Sequence, residues 1–245
     1  MTAPQAVSQQ NPSKVAFGKV LAIQIVAYVV LVALALVPGI AYGDSANPAV
    51  VPFTIIGSLA MIALLVVFSP FRDGTAGHAI AVIAGLLSVV CATTMTLGRA
   101  IFAADATGGK DFSMEDGWIA GVGGLLILLI VISFGRQMAR EKREHLIRAL
   151  SHAVTSGVAA LAVAGWCFLP DLGAMLAKGT VAGTVALIIL IVLGLALAVA
   201  STLWVRDADP DPDIRYPWIG TGLMPVMLMG VTIAATALVL GRIIG

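Results

Sequence analysis

Residues 179–204 read GTVAGTVALIILIVLGLALAVASTLW and contain no charged side chain. At a rise of ~1.5 Å per residue, a helix over this stretch is about 39 Å long, which exceeds the ~30 Å thickness of the hydrocarbon core of a bilayer. Backbone groups inside a bilayer must be hydrogen-bonded within the protein, and a helix achieves this within one segment. The stretch therefore predicts a membrane-spanning α-helix.

The composition of the whole chain agrees with a membrane environment. Of its 245 residues, 60% are hydrophobic and 11% are charged, and the mean hydropathy is +1.03. Soluble domains carry about 25% charged residues, and a domain of this length leaves roughly 25–30% of its unfolded-chain surface in contact with water. The composition excludes a water-soluble enzyme and a disordered chain. The net charge of +1 gives no reason to expect nucleic acid as a partner.

Six further apolar runs have the same character and are separated by short polar segments. Together they predict an all-α fold, a polytopic membrane protein built as a bundle of about seven transmembrane helices. Residues 1–16 are polar, and we interpret them as a disordered cytosolic tail in front of a single domain, residues 17–245. The predicted spans lie at about residues 17–38, 51–70, 77–101, 117–135, 151–170, 179–204 and 218–241.

The distribution of lysine and arginine predicts the orientation of the bundle. Cytoplasmic loops of membrane proteins carry an excess of these residues. With the N-terminus inside, ten of the 14 basic residues fall on the cytoplasmic side and four on the outer side. We therefore predict a multi-pass protein of the cell membrane with its N-terminus inside and its C-terminus outside.

Five basic residues are concentrated between the fourth and fifth predicted spans, in residues 136–150, which we call the basic linker. They are Arg136, Arg140, Lys142, Arg143 and Arg148. Near a membrane surface, anionic lipids attract each basic side chain by ~1 kcal/mol. We interpret the linker either as a determinant of topology that binds anionic lipids at the cytosolic face, or as a docking helix for a protein partner such as a cytosolic ATPase subunit.

Two histidines begin predicted spans on the same, inner side of the membrane. His78 begins the third span and His152 begins the fifth. Because imidazole titrates near neutral pH, the pair would form an interfacial pH or ion site if the two helices pack together. The alternative is that both rings face the cytosol. Neither HxxxH nor HExxH occurs, so we predict no metal site and no cofactor.

Small residues predict where the helices approach one another. Gly77, Ala81 and Gly85 recur at a spacing of four in the third span, and Gly179 and Gly183 form a GxxxG pattern at the start of the sixth. In membranes such residues allow close backbone contact, which favours association because lipid provides no hydrophobic force between helices. We interpret both patterns as seams within the bundle, with a dimer face as the alternative.

The types of polar residue within the spans limit the functions that the sequence supports. No Asp, Glu or Lys lies near the centre of a span, and no Walker A, GxSxG or HExxH motif occurs. The favoured hypothesis is therefore a non-enzymatic, permease-like or accessory subunit of a membrane complex. A stand-alone transporter or channel for a neutral or apolar solute is the second hypothesis, because the third span is rich in Thr and Pro225 predicts a kink in the seventh. The third is an enzyme that acts on lipid head groups, either through Arg99, Asp116 and Asp171 at the outer face or through His78 and His152 with the aspartates of residues 206–217 at the inner face.

Overall fold

The fold is a bundle of helices, described by a computed structural model over residues 12–42, 51–71, 74–94, 96, 100, 113–139, 146–207 and 216–244. A short 3-10 segment, Val163–Phe168, joins the fifth helix to the sixth without a break. The predicted all-α fold is confirmed. The helices are α1 (Pro12–Tyr42), α2 (Val51–Val67), α3 (Gly74–Thr93), α4 (Met114–Met138), α5 (Leu146–Ala162), α6 (Leu169–Ala177), α7 (Val181–Asp207) and α8 (Pro217–Ile244).

The helices have the lengths that a bilayer requires. Among the residues that the structure describes, six helical stretches are long and apolar enough to cross a membrane, and the 17 residues of α2 are apolar but shorter. A spanning helix needs about 17–25 residues, so α2 lies at the lower limit. The protein is thus a multi-pass membrane protein, and its orientation in the membrane stays a prediction.

Some helix boundaries differ from the predicted spans. α1 begins at Pro12 rather than at residue 17, because proline is well accommodated in the first turn of a helix. α4 begins at Met114 rather than at residue 117, because Ser113 and Asp116 form a capping box. The Ser113 hydroxyl accepts a hydrogen bond from the backbone N–H of Asp116, and the Asp116 carboxylate accepts one from the backbone N–H of Ser113. α3 ends at Thr93, and the rest of the predicted third span lies mostly outside the described residues.

The fifth span occupies the centre of the bundle and changes its helix type at mid-length. In the apolar 18-residue stretch that identifies this span, 72% is buried, against 17% in the corresponding stretch of α7. The sequence predicted a span that ends at residue 170, whereas helical structure continues to Ala177 through the 3-10 segment. Pro170 explains the change, because in a regular α-helix its ring would clash with the carbonyl of Trp166, four residues earlier. Pro170 is instead placed in the first turn of α6, where proline is tolerated.

α8 packs against this 3-10 segment through direct backbone contact. A Cβ atom at Gly165 would overlap with the carbonyl oxygen of Gly230, and a Cβ atom at Gly230 would overlap with that of Ala162. Small residues permit such contact between membrane helices. The sequence prediction missed this seam, although the small residues Gly230 and Ala234, four apart in α8, were a readable signal for it.

The two small-residue patterns singled out from the sequence have different outcomes. On α3, Ala81 is buried, and a Cβ atom at Gly85 would lie 3.2 Å from the carbonyl oxygen of Ala160, so this seam between α3 and α5 is confirmed. The GxxxG interpretation is wrong for Gly179, which precedes α7 in the turn after α6. Its φ of 65° is a left-handed conformation that glycine adopts without steric strain.

Candidate functional site

Hydrogen bonds from three neighbouring helices support the start of the 3-10 segment. Ser88 Oγ of α3 donates to the carbonyl oxygen of Leu161 at 2.6 Å, and Ser58 Oγ of α2 donates to that of Val163 at 3.4 Å. Trp118 Nε1 of α4 donates to Ser88 Oγ at 3.1 Å. Inside a membrane, a departure from α-helical geometry is tolerated where neighbouring side chains satisfy the backbone. The break in the central span is therefore stabilised by α2, α3 and α4 together.

Trp166 connects the 3-10 segment to the opposite side of the bundle. Its Nε1 donates to the carbonyl oxygen of Val226 on α8 at 2.9 Å, and its ring packs against the ring of Tyr28 on α1 with centroids 5.9 Å apart. Helix α8 continues through Pro225, which has no N–H to donate to the carbonyl of Thr221. The 3-10 segment and the backbone hydrogen bond that is missing at Pro225 of α8 therefore both lie close to Trp166.

A lateral groove lies beside Trp166, between α1, α7 and α8. Its volume is about 470 Å³, within the ~300–1,000 Å³ range of small-molecule sites. Ile25 and Leu195, which contribute to its walls, are more than half exposed, so the groove opens on the outer surface of the bundle, where lipid lies. The apolar side chains that α1 and α7 contribute to the groove are Leu21, Ile25, Val32, Leu190, Ile191 and Leu195.

Two polar side chains, Gln24 and Tyr28, interrupt this apolar lining. Gln24 Nε2 donates to Ser201 Oγ of α7 at 2.6 Å, and Ser201 Oγ donates to the carbonyl oxygen of Ala198 at 2.7 Å. Gln24 Oε1 and the Tyr28 hydroxyl are buried and have no hydrogen-bond partner among the described residues. An unpaired buried polar group costs about 1–3 kcal/mol. These two atoms are therefore candidates to bind a polar group of a ligand.

His152, one of the two predicted site histidines, lines a separate and smaller cavity. This cavity has a volume of about 210 Å³, and its polar lining includes Thr155 and Thr221. The imidazole ring of His152 stacks on Phe71 with centroids 4.6 Å apart. His78, on α3, has a buried Nε2 without a hydrogen-bond partner in the described part of the chain. A joint pH or ion site of the two histidines stays a prediction.

The basic linker is only partly described by the structure. Arg136 lies in the last turn of α4, beside the buried Gln137, and Arg148 lies in the first turn of α5. The proposed docking role therefore stays a prediction. The other three basic residues of the linker, Arg140, Lys142 and Arg143, lie outside the described residues.

An ion pair joins the start of α4 to the end of α8 at the predicted outer end of the bundle. Arg242 donates to both carboxylate oxygens of Asp116, at 2.8 and 3.0 Å, and the two residues border a cavity of about 550 Å³ with Glu115. Arg242 is largely exposed, and exposed ion pairs contribute only ~0–1 kcal/mol. Asp171 lies in the first turn of α6, and Arg99 lies outside the described residues. Asp116 is thus paired with Arg242, a contact that the sequence hypothesis did not include.

Of the three cavities described above, the lateral groove is the one whose lining includes buried polar atoms without a partner among the described residues. Nowhere in the described ranges does a group of three or more His, Cys, Asp or Glu side chains come close enough to hold a metal ion. The chain matches no family model, and no curated protein or solved structure is significantly similar to it.

Proposed function

We propose that the protein is a permease-like component of the cell membrane that takes up a neutral, largely apolar solute from the bilayer. The observation that carries this proposal is the lateral groove, which is open to lipid and lies beside the 3-10 break in the central span. Discontinuous helices form the substrate sites of many transporters. The described residues that line the groove include no Asp, Glu, Lys, Arg or His, and a charged solute in such surroundings would be strongly disfavoured.

This function combines the permease-like hypothesis with the hypothesis of a neutral or apolar solute. Helix α1 would enter from the cytosol, and the basic linker would lie at the cytosolic face with Arg136, Arg140, Lys142, Arg143 and Arg148. There the linker would bind anionic lipids or a protein subunit, a role that is supported by its sequence. Enzymatic action on lipid head groups is less favoured, because Asp116 is paired with Arg242 rather than available for chemistry.

The first test is whether the purified protein retains a small apolar molecule in the groove. Gly194 lines the groove, and a Cβ atom there would meet nothing within 4 Å, so we expect Gly194→Phe to place its ring in the groove. Gly123 on α4 has equally open surroundings and does not line the groove, so Gly123→Phe is a matched control. Native mass spectrometry after purification in mild detergent should find a retained neutral molecule in the wild type and in Gly123→Phe, but not in Gly194→Phe.

The second test is uptake of that molecule by proteoliposomes. Wild type and Gly123→Phe should transport it, whereas Gly194→Phe should not. Equal retention and uptake by both variants would exclude the groove as the site. A stoichiometric protein partner without a retained small molecule would instead favour the accessory-subunit hypothesis.

A further inference from the structure

We infer that the lateral groove selects an uncharged, lipid-like alcohol, a molecule with a long apolar body and one hydroxyl group. This inference rests on the proposed function, because it names the chemical class of the solute. It depends on the hydrogen-bonding requirements of Gln24 and Tyr28, on the absence of charge among the described lining residues, and on the opening of the groove toward lipid.

The hydrogen bonds around Gln24 determine which group its ligand must offer. The hydroxyl proton of Ser201 is used in the bond to the carbonyl oxygen of Ala198, so Ser201 Oγ must accept from the Gln24 side chain. The amide nitrogen of Gln24 therefore faces Ser201, and Oε1 is left as a buried acceptor. Only a hydrogen-bond donor on the ligand satisfies this oxygen.

Tyr28 adds a second requirement one helical turn further along α1. Residues four apart lie on the same face of a helix, so Tyr28 and Gln24 both lie on the face of α1 that lines the groove. The Tyr28 hydroxyl has no partner among the described residues and donates readily to an acceptor. A hydroxyl is the smallest uncharged group that donates to Gln24 Oε1 and accepts from Tyr28 at once. A ketone, ester or ether only accepts, and would leave Gln24 Oε1 unpaired.

The rest of the groove accommodates the apolar body of this alcohol. Its lining is otherwise aliphatic and aromatic, and Ile25 and Leu195 at its edges are exposed on the lipid side. A chain therefore enters sideways from the bilayer without crossing a polar surface. Because Gln24 Oε1 and the Tyr28 hydroxyl are both covered, the alcohol reaches them when the side chains around them move aside.

The test compares two photoreactive probes that differ in one hydrogen-bond donor: 1-hexadecanol bearing a diazirine on its chain, and the methyl ether of the same molecule. Each is titrated into proteoliposomes, and labelling of groove peptides is quantified by mass spectrometry. Loss of one hydrogen bond predicts roughly fivefold weaker binding of the ether. Tyr28→Phe should fold normally, because the missing hydroxyl has no partner in the described part of the chain, and should reduce binding of the alcohol by a similar factor. Gln24→Leu should abolish the preference for the alcohol.

Two controls separate the possible outcomes. Tyr216→Phe removes a hydroxyl outside the groove and should leave both probes unaffected, whereas Gly194→Phe should block both. Equal binding of the alcohol and the ether, both blocked by Gly194→Phe, would overturn the alcohol class but leave the proposed function intact. Labelling that Gly194→Phe does not reduce would indicate ordinary lipid contact and overturn both. A preference for the alcohol that persists in Gln24→Leu would also overturn the inference, as would undiminished binding of the alcohol by Tyr28→Phe.

Discussion

Replacement of Gly230 by alanine tests whether direct backbone contact holds α8 against the break in the central span. The new Cβ atom would overlap with the carbonyl oxygen of Ala162 and would lie 3.2 Å from Cδ1 of Trp166. Neither atom yields easily, because the first belongs to the backbone and the second to a ring that donates a hydrogen bond to Val226. We therefore expect α8 to shift away from the 3-10 segment.

The size of the effect follows from three contributions. Helix propensity favours alanine over glycine by about 0.5–1 kcal/mol. Overpacking of a well-packed interior costs about 1–3 kcal/mol. Weakening of the hydrogen bond between Trp166 and Val226 adds about 0.5–1.5 kcal/mol. The free energy of unfolding of Gly230→Ala should therefore fall by about 2 kcal/mol on balance.

Gly194→Ala is the matched control, because this glycine also lies within a long helix but a Cβ atom there meets nothing within 4 Å. It should raise the free energy of unfolding by up to about 1 kcal/mol. Unfolding of both variants can be followed by tryptophan fluorescence during titration of mild-detergent micelles with a denaturing detergent. If Gly230→Ala proves as stable as Gly194→Ala, the backbone contact between α8 and the 3-10 segment does not exist.

Three further predictions concern a hydrogen-bond chain, the basic linker and the orientation. Ser88→Ala leaves the Trp118 indole and the Leu161 carbonyl without this partner, and it should lower the free energy of unfolding by about 1–3 kcal/mol in the same assay. Ser133→Ala removes a hydroxyl that is unpaired among the described residues and should not reduce stability. Replacement of the five basic residues of the linker by Gln should reduce the amount of anionic lipid or protein partner that co-purifies, because each residue contributes ~1 kcal/mol of attraction to anionic lipid. Unchanged co-purification would mean that the linker is a solvated turn. A reporter fused to the C-terminus should be active outside the cell, and a cytosolic signal would contradict the count of seven spans.

The candidate site residues were harder to predict from the sequence than the membrane spans. The candidate site residues that stand out in the sequence are ionisable ones, namely His78, His152 and the basic residues of the linker. Gln24 and Tyr28 were visible only as polar residues in an apolar run. Their importance depends on Ser201, which is 177 positions away from Gln24 and holds its amide in one orientation. Such a contact between distant segments has no signature in the local pattern of residues.

The sequence alone determined that this is an all-helical, multi-pass membrane protein, because each span is selected by its own transfer from water into lipid, one segment at a time. The seam on α3 was predictable for a related reason, since a regular spacing of small residues is a property of one helix. Only the tertiary structure decided that the fifth span is central and changes helix type before Pro170, and that α8 touches it at Gly165. These features depend on which helices meet and on whether neighbouring side chains such as Ser88 satisfy the backbone there. The lateral groove is a consequence of the same packing, because α1, α7 and α8 form it together.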